Sequence, residues 1–353
     1  MYANRPRGRA TIREIRSLQR GANTTMPNER PRALVTAAVR GPGLDLLGEL
    51  ADLTLDSWLD QPSLRIYNAE QLAERVAEVG ATIVVVESDR CAGPLFEQPL
   101  LAVCSCRGDP TNVDVPAATA AGIPVLRAPG RNADAVAELT VALLFAATRG
   151  VVGADADVRR GEIYRDGTIP YQRFRAWEVA GRVAGLVGLG AVARATRWRL
   201  RGLGMEVIAY DPYADEPTVS LDELLERSDV VSLHAPVTPE TMGMIGAEQF
   251  AAMRDGVVFL NSARAALHDT DALVAALTSG KVAAAGLDHF EGESLAVDHP
   301  LTQFPSVVLT PHIGGATYNT EANHTRLIAD DLCRLMAGAR PIHVVNPEVL
   351  GAR

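Results

Sequence analysis

Four side chains stand out because their types suit one reaction between them: Arg264, Asp288, Glu293 and His312. A guanidinium such as Arg264 grips a carboxylate and a neighbouring carbonyl oxygen with one planar fork. An imidazolium such as His312 gives a proton to a forming alkoxide and takes it back in the reverse direction. A carboxylate such as Glu293 beside that histidine favours its protonated form and fixes the ring. Together they suit hydride transfer to the carbonyl of a 2-oxo acid, with Arg264 stabilising the developing oxyanion. This chemistry needs no metal, and Cys91, Cys104, Cys106 and Cys333 make no zinc pattern.

A hydride needs a carrier, and residues 183–211, VAGLVGLGAVARATRWRLRGLGMEVIAYD, have the form of a dinucleotide-binding unit. The apolar run Val183–Val187 suits a buried strand. Gly188, Gly190 and Ala193, with Leu189 inside the turn, match G-x-G-x-x-G/A. The first glycine permits the tight turn, the second admits a pyrophosphate, and the small third residue lets helix pack on strand. Residues 191–201 predict a helix whose N-terminal N–H groups and positive dipole end face the phosphates. A strand over 207–210 ends at Asp211, 21 residues after Gly190, where the acid that holds a ribose 2′-hydroxyl belongs. A carboxylate there repels a 2′-phosphate, and Pro212 and Tyr213 bring no cation. NAD is therefore expected rather than NADP.

Around this unit, strand and helix patterns alternate as in open parallel α/β sheets. Strands are expected at 33–38, 82–86, 100–103 and 123–126, and helices at 44–53, 68–79 and 116–121. Pro129-Gly130-Arg131-Asn132 breaks the pattern. The helix after it, Ala133–Thr148, is apolar on most faces, as suits burial between two lobes. Residues 150–180 show no clear period. Ser220-Leu-Asp-Glu223 reads as a capping box opening a helix to Arg227. Helices follow at 247–253, 271–277 and 321–337. Strands at Val230–Leu233, 257–260, Val282–Leu287 and Val307–Leu309 run into His234, Arg264, Asp288 and His312. Ligands of such sheets bind beyond the carboxyl ends of the strands. These residues and Glu293 are therefore expected along one rim, beside the glycine turn.

The chain of 353 residues is long enough for two domains, and its net charge of −9 gives no reason to expect nucleic acid or an anionic membrane as partner. Residues 1–32 differ, with eight Arg and two Glu (+6 by 8 − 2), which leaves −15 for the remainder. This head lacks the apolar stretch of a secretory signal. It reads as a disordered basic extension, with Met26 as an alternative start. Four cysteines without sign of secretion suggest reduced thiols and a cytoplasmic protein. Cys104-Ser-Cys106 reads as a strand end rather than a redox pair. No apolar run approaches the length of a membrane span.

Taken together, Asn261-Ser-Ala-Arg264, Gly286-Leu-Asp288-His-Phe-Glu291-Gly-Glu293 and Pro311-His312-Ile-Gly-Gly-Ala316-Thr317 resemble the D-isomer-specific 2-hydroxyacid dehydrogenases, among them phosphoglycerate dehydrogenase and the glyoxylate/hydroxypyruvate reductases. Asn112-Val-Asp114, Gly122-Ile-Pro-Val125, Ala135-Val-Ala-Glu138 and His234-Ala-Pro236 extend the likeness over about residues 100–350. Residues 33–99 match weakly. The resemblance implies an α/β fold of two Rossmann-like lobes with a cleft between them. A flavodoxin-like substrate lobe would hold 33–128 and 319–353, and an NAD-binding lobe 129–318. It also implies a homodimer joined through the cofactor lobes.

By the same resemblance, Arg264, Glu293 and His312 are catalytic, and Asp288 binds the nicotinamide carboxamide. Gly188, Leu189, Gly190, Ala193, Asp211, His234 and Ala263 hold NAD. Backbone N–H groups of Cys106, Arg107, Gly108 and Asp109 hold the substrate carboxylate. Ala193 stands for the commoner third glycine, Ala265 follows Arg264 where Gly is usual, and Arg107 stands where phosphoglycerate dehydrogenases have Gly. Arg107 either meets a second anionic group, such as phosphate, or points to solvent or pairs with Asp109. The implied reaction interconverts a D-2-hydroxy acid and its 2-oxo acid. Two other readings stay open: a phosphite dehydrogenase, which keeps the Arg, Glu and His, and an NAD-sensing scaffold like the C-terminal-binding-protein corepressors. Formate dehydrogenase fits less well, since it has Gln beside the catalytic His.

Overall fold

Alternating apolar and amphipathic runs resolve into parallel strands joined by helices in a computed structural model that describes residues 30–352. The first elements are β1 (Arg32–Val35), α1 (Pro42–Leu50), β2 (Asp52–Leu55), α2 (Ala69–Val79), β3 (Ile83–Val86), β4 (Ala102–Ser105), α3 (Val115–Ala120) and β5 (Val125–Arg127). The strands pair in parallel in the order β2-β1-β3-β4-β5, the flavodoxin-like order that reverses at β1. β3, Ile-Val-Val-Val, is buried throughout, as expected for a strand covered on both faces. Asn68 and Gln71 cap the start of α2 reciprocally.

Three expectations change here. The helix expected over 44–53 stops at Leu50, and Asp52–Leu55 forms an edge strand in register with β1, Arg32 opposite Asp52. No residue of β2 is buried, so it had no apolar run to announce it. β4 lies two residues later than 100–103, which draws Cys104 and Ser105 into the sheet. Residues 1–29 of the basic head lie outside the described residues. Its end belongs to the fold: Arg32 opens β1, and Arg30 lies 3.4 Å from Asp52.

The second set comprises α4 (Ala133–Thr148), α5 (Val151–Arg160), α6 (Pro170–Arg173), β6 (Val183–Val187), α7 (Ala191–Gly202), β7 (Glu206–Tyr210), α8 (Leu221–Arg227), β8 (Val230–Leu233), α9 (Ala247–Ala252), β9 (Val257–Asn261), α10 (Thr270–Thr278), β10 (Val282–Leu287) and β11 (Val307–Leu309). All six strands are parallel, in the order β11-β10-β9-β8-β6-β7. The order reverses at β6, which runs into the glycine turn. α4 packs against β9, β10 and α7, so its all-round apolar surface is used within this unit. At α8, Ser220 accepts from the Glu223 N–H at 3.1 Å. The Glu223 carboxylate, however, pairs forward with Arg227, which leaves half a capping box.

Residues 150–180 form α5, α6 and their connections, and charge rather than apolar period organises them. Asp157, 3% exposed, pairs with Arg160 at 2.8 Å, Arg173 at 3.3 Å and Arg165 at 3.5 Å. A single buried anion shared by three cations leaves no periodic trace.

The last helix, α11 (Tyr318–Met336), returns to the first sheet, burying Ile328, Ala329, Leu332 and Cys333 in its core. The chain thus forms two compact units, one reaching Arg131 and resuming at Tyr318, the other Asn132–Thr317. Among the described residues no single helix is long and apolar enough to cross a membrane.

Candidate active site

Parallel strands bring their carboxyl ends to one edge of the second unit, and the chemistry-bearing residues follow those ends. His234 directly follows β8, Arg264 lies three residues past β9, Asp288 directly follows β10, and His312 lies three residues past β11.

The His312 loop is clamped from beneath. The Asp288 carboxylate, fully buried, accepts from the Thr310 hydroxyl at 2.7 Å, Ile313 N–H at 2.9 Å and Gly314 N–H at 2.8 Å. The Asp288 carbonyl accepts from the His312 N–H at 3.0 Å. This brace holds His312 at φ +54°. Glu293 sits at φ +55°, so both members of the pair have left-handed backbone, costing about 1 kcal/mol each. Strain of this kind persists only where the surroundings over-determine it. Its product is a contact of 3.0 Å between His312 Nδ1 and Glu293 Oε1. With Nδ1 so engaged, Nε2 is the atom left for a substrate.

His289 lies behind this pair, its ring centroid 3.9 Å from that of His312. Burial, then the neighbouring His312 and Arg264, push its pKa down to about 4. The Arg264 charge thus reaches His289, whose Nδ1 lies 3.8 Å from the Glu293 carboxylate and whose ring packs against that of His312. Arg264 itself is exposed, with Nη1 donating to the Ala263 carbonyl.

Asn261 holds the loop beneath Arg264. Its amide donates to the Arg264 carbonyl at 2.8 Å and lies 3.0 Å from His268 Nδ1, while its oxygen accepts from the Ala263 N–H at 3.0 Å. His268 is 6% exposed, and burial lowers its pKa to about 4. His268 and His289 are therefore neutral when folded at neutral pH but protonate near their ordinary pKa, about 6.5, when unfolded. Stability from them is complete above pH ~6.5 and is lost as pH falls toward ~4, by at most about 3 kcal/mol each. Urea denaturation across that window should show a falling midpoint, with a shallower fall in His268→Gln. A flat profile would contradict their burial as neutral rings.

The glycine turn has the features that a dinucleotide requires. Gly188 sits at φ +94°, and a Cβ there would come within 2.8 Å of the Ala235 N–H nitrogen. A Cβ on Gly190 would meet nothing within 4 Å, so open space lies where a pyrophosphate would approach. α7 starts there with no side-chain cap, leaving its first N–H groups for an anion. Ala193 is fully buried, so the helix needs a small residue there to settle on the sheet. Asp211 accepts from the Leu189 N–H at 2.7 Å and the Tyr213 N–H at 2.9 Å. That fixes the carboxylate at the end of β7, directly beside the turn. His234, whose Nδ1 is buried without a partner, is held neutral by burial with a pKa of about 4. Ala263 is half-buried beside Arg264. These residues fit a bound dinucleotide.

In the first unit, Cys106 departs from expectation. It is fully buried, and its N–H donates to the Val86 carbonyl at 2.7 Å, so it belongs to the sheet and has no donor left for a substrate. Arg107 and Gly108 are half-buried and Asp109 is exposed. Among the described residues the N–H groups of Gly108 and Asp109 meet no protein acceptor. Cys91, Cys104, Cys106 and Cys333 are free and buried, and burial pushes their thiols up. Cys104 and Cys106 therefore behave as core residues.

Sequence reasoning gave no role to His289, Asn261, His268 or Thr310. His289 carried one usable signal, an imidazole between Asp288 and Glu293 at a strand end.

A six-stranded parallel sheet with Gly188-Leu-Gly190 at its reversal point defines a Rossmann-type dinucleotide-binding unit. Residues 141–314 match the family model described as "D-isomer specific 2-hydroxyacid dehydrogenase, NAD binding domain". A glyoxylate reductase of Thermofilum pendens is 37% identical over 334 residues, 92% of this chain and 97% of that protein. A D-3-phosphoglycerate dehydrogenase of Archaeoglobus fulgidus is 40% identical over 243 residues, 67% of this chain, which spans only 45% of that longer protein. A crystal structure of a Thermus thermophilus protein is similar with TM-score 0.76 and 34% identity, covering 89% of this chain and 99% of that one. The chain belongs to the D-isomer-specific 2-hydroxyacid dehydrogenase family, a family of NAD-binding oxidoreductases.

Proposed function

We propose that this protein is an NAD(H)-dependent dehydrogenase interconverting a D-2-hydroxy acid and its 2-oxo acid, with Arg264, Glu293 and His312 as its catalytic residues. The observation that carries the reading is the 3.0 Å Glu293–His312 pair, held on strained backbone along the rim that also bears Arg264 and the glycine turn. Bound NADH supplies the hydride. Arg264 binds the substrate carboxylate and polarises the carbonyl oxygen. His312 delivers a proton from Nε2 to that oxygen, and Glu293 stabilises the charged ring before it does so. Gly188, Leu189 and Gly190 receive the pyrophosphate at the start of α7. Asp211 takes the ribose hydroxyls. His234, Ala263 and the remaining acceptor position of Asp288 hold the nicotinamide end. In the first unit the loop 107–109 is the proposed substrate-binding segment: among the described residues the Gly108 and Asp109 N–H groups meet no protein acceptor, and Arg107 is assigned to a second anionic group where the substrate has one.

The similarity to glyoxylate reductases along nearly their full length favours a small 2-oxo acid such as glyoxylate or hydroxypyruvate. NADH oxidation measured against plain and phosphorylated 2-oxo acids tests the reading. Turnover of at least one such acid supports it, and a preference for phosphorylated ones supports the role of Arg107. NAD binding without turnover would establish a scaffold instead, and turnover of phosphite alone would overturn the substrate class.

Asp211 supports NAD over NADP, and Glu216 adds to it. Glu216 pairs with Arg194 and, at 2.7 Å, with Arg197, tying up two cations of α7. Asp211→Ser combined with Glu216→Ala should shift the NADP/NAD ratio of kcat/KM upward by roughly tenfold or more, tenfold being about 1.4 kcal/mol. An unchanged ratio would remove Asp211 from the ribose.

The exposed apolar side chains Val151, Val152, Val158, Tyr164, Tyr171 and Trp177 crowd one arm of the second unit. A patch of this kind marks an interface, and a second copy of this chain is its proposed occupant. Light scattering at the mass of two chains supports this, and a monomer refutes it. Free, buried thiols suit a cytoplasmic setting.

A further inference from the structure

We propose that His289, Glu293 and His312 form a transition-metal site that takes one Zn²⁺ ion and, when filled, silences the proton donor. The silencing rests on the dehydrogenase reading above, whereas the binding does not.

Each of the three residues offers one ligand atom, and these atoms all lie within 4.8 Å of one another. His312 Nδ1 is 3.0 Å and His289 Nδ1 3.8 Å from the same Glu293 oxygen. Zinc bonds of about 2.0–2.2 Å in tetrahedral geometry separate neighbouring ligands by roughly 3.3 Å. The two distances bracket that value, and side-chain rotations that bring all three ligand atoms, already within 4.8 Å of one another, to that spacing complete the site. The side chain of His289 is 3% exposed, and its Nδ1 is buried without a hydrogen-bond partner. A buried polar atom left so carries an uncompensated desolvation cost, and here it lies 3.8 Å from the Glu293 carboxylate. A cation between them satisfies both.

The donor set selects the ion. Two imidazoles and one carboxylate with an open fourth position suit Zn²⁺, whereas Mg²⁺ and Ca²⁺ need more oxygen ligands. His312 and Glu293 are 44% and 56% exposed, so an ion enters without unfolding anything. One anionic ligand and the Arg264 cation nearby keep the affinity moderate, making this a reversible brake and not a structural centre. With Nδ1 of His312 coordinated, the ring cannot carry its second proton, and Glu293 no longer orients it.

The test titrates Co²⁺, as a coloured substitute for Zn²⁺, into the chelator-stripped full chain and follows visible absorption, followed by displacement with Zn²⁺. Saturation at one equivalent is expected. His289→Phe and His289→Leu should weaken binding by roughly 10–100-fold or more. The two differ in volume, so a packing fault in one leaves the other to decide. In parallel, Zn²⁺ should inhibit NADH oxidation reversibly, with an inhibition constant raised by the same factor in these variants. Absence of the Co²⁺ spectrum, or a spectrum unchanged in both variants, overturns the site. Metal binding in a protein without dehydrogenase turnover upholds the site and defeats the dehydrogenase reading instead.

Discussion

His312→Ala should lower kcat by roughly 10²–10⁴-fold, the usual effect of removing a general acid, while NADH affinity stays near normal. The split follows from position. His312 stands past β11, whereas the glycine turn and Asp211 follow β6 and β7 at the other side of the sheet. Steady-state kinetics with NADH fluorescence titration reads both quantities. Full activity in the variant would refute the assignment. Alanine keeps the Cβ that makes φ +54° costly, so the backbone strain is unchanged, and because the side chain is 44% exposed stability should change by only about 0.5 kcal/mol. A stability loss comparable to the kinetic one would mean that the residue serves the fold.

Arg264→Ala should lower kcat/KM by roughly 10²–10³-fold, the scale set by loss of one oxyanion donor, with KM for the 2-oxo acid raised as well. Arg264→Lys should recover little, because an ammonium lacks the planar fork. The side chain is exposed and hydrogen-bonds only to the adjacent Ala263 carbonyl among its described partners. Stability should therefore change by less than about 0.5 kcal/mol. An Arg264→Ala protein with normal kcat/KM would put the carboxylate anchor elsewhere.

Strands and helices of the second unit were legible because each carries its own period. The buried runs Val183–Val187 and Val230–Leu233 and the glycine turn between strand and helix are local patterns. The rim residues were legible for the same reason, since parallel topology turns chain order into spatial order. What escaped depends on neighbours distant in sequence. β2 is recognisable only from its pairing with β1. The α5–α6 arm is organised by Asp157 and arginines spread over Arg160 to Arg173. The resemblance gives Cys106 a substrate-binding N–H, yet that N–H closes a sheet bond to Val86, a partner 20 residues away (106 − 86) that no local pattern announces. The brace from Asp288 to Thr310, Ile313 and Gly314 bridges two strand ends, and no spacing rule announces it.

The route of α11 has a consequence for how this chain is made. Val125 hydrogen-bonds with Asn346 and Val345 near the far end of the chain, and a Cβ on Gly43 would come within 2.6 Å of the Arg326 nitrogen, so α1 and α11 cross backbone against backbone. One face of the first sheet therefore stays partly uncovered until α11 has been translated, because Ile328, Ala329, Leu332 and Cys333 complete its core. The continuous middle unit, Asn132–Thr317, needs no later segment to close, so the first sheet is the part whose apolar surface stays exposed longer during synthesis.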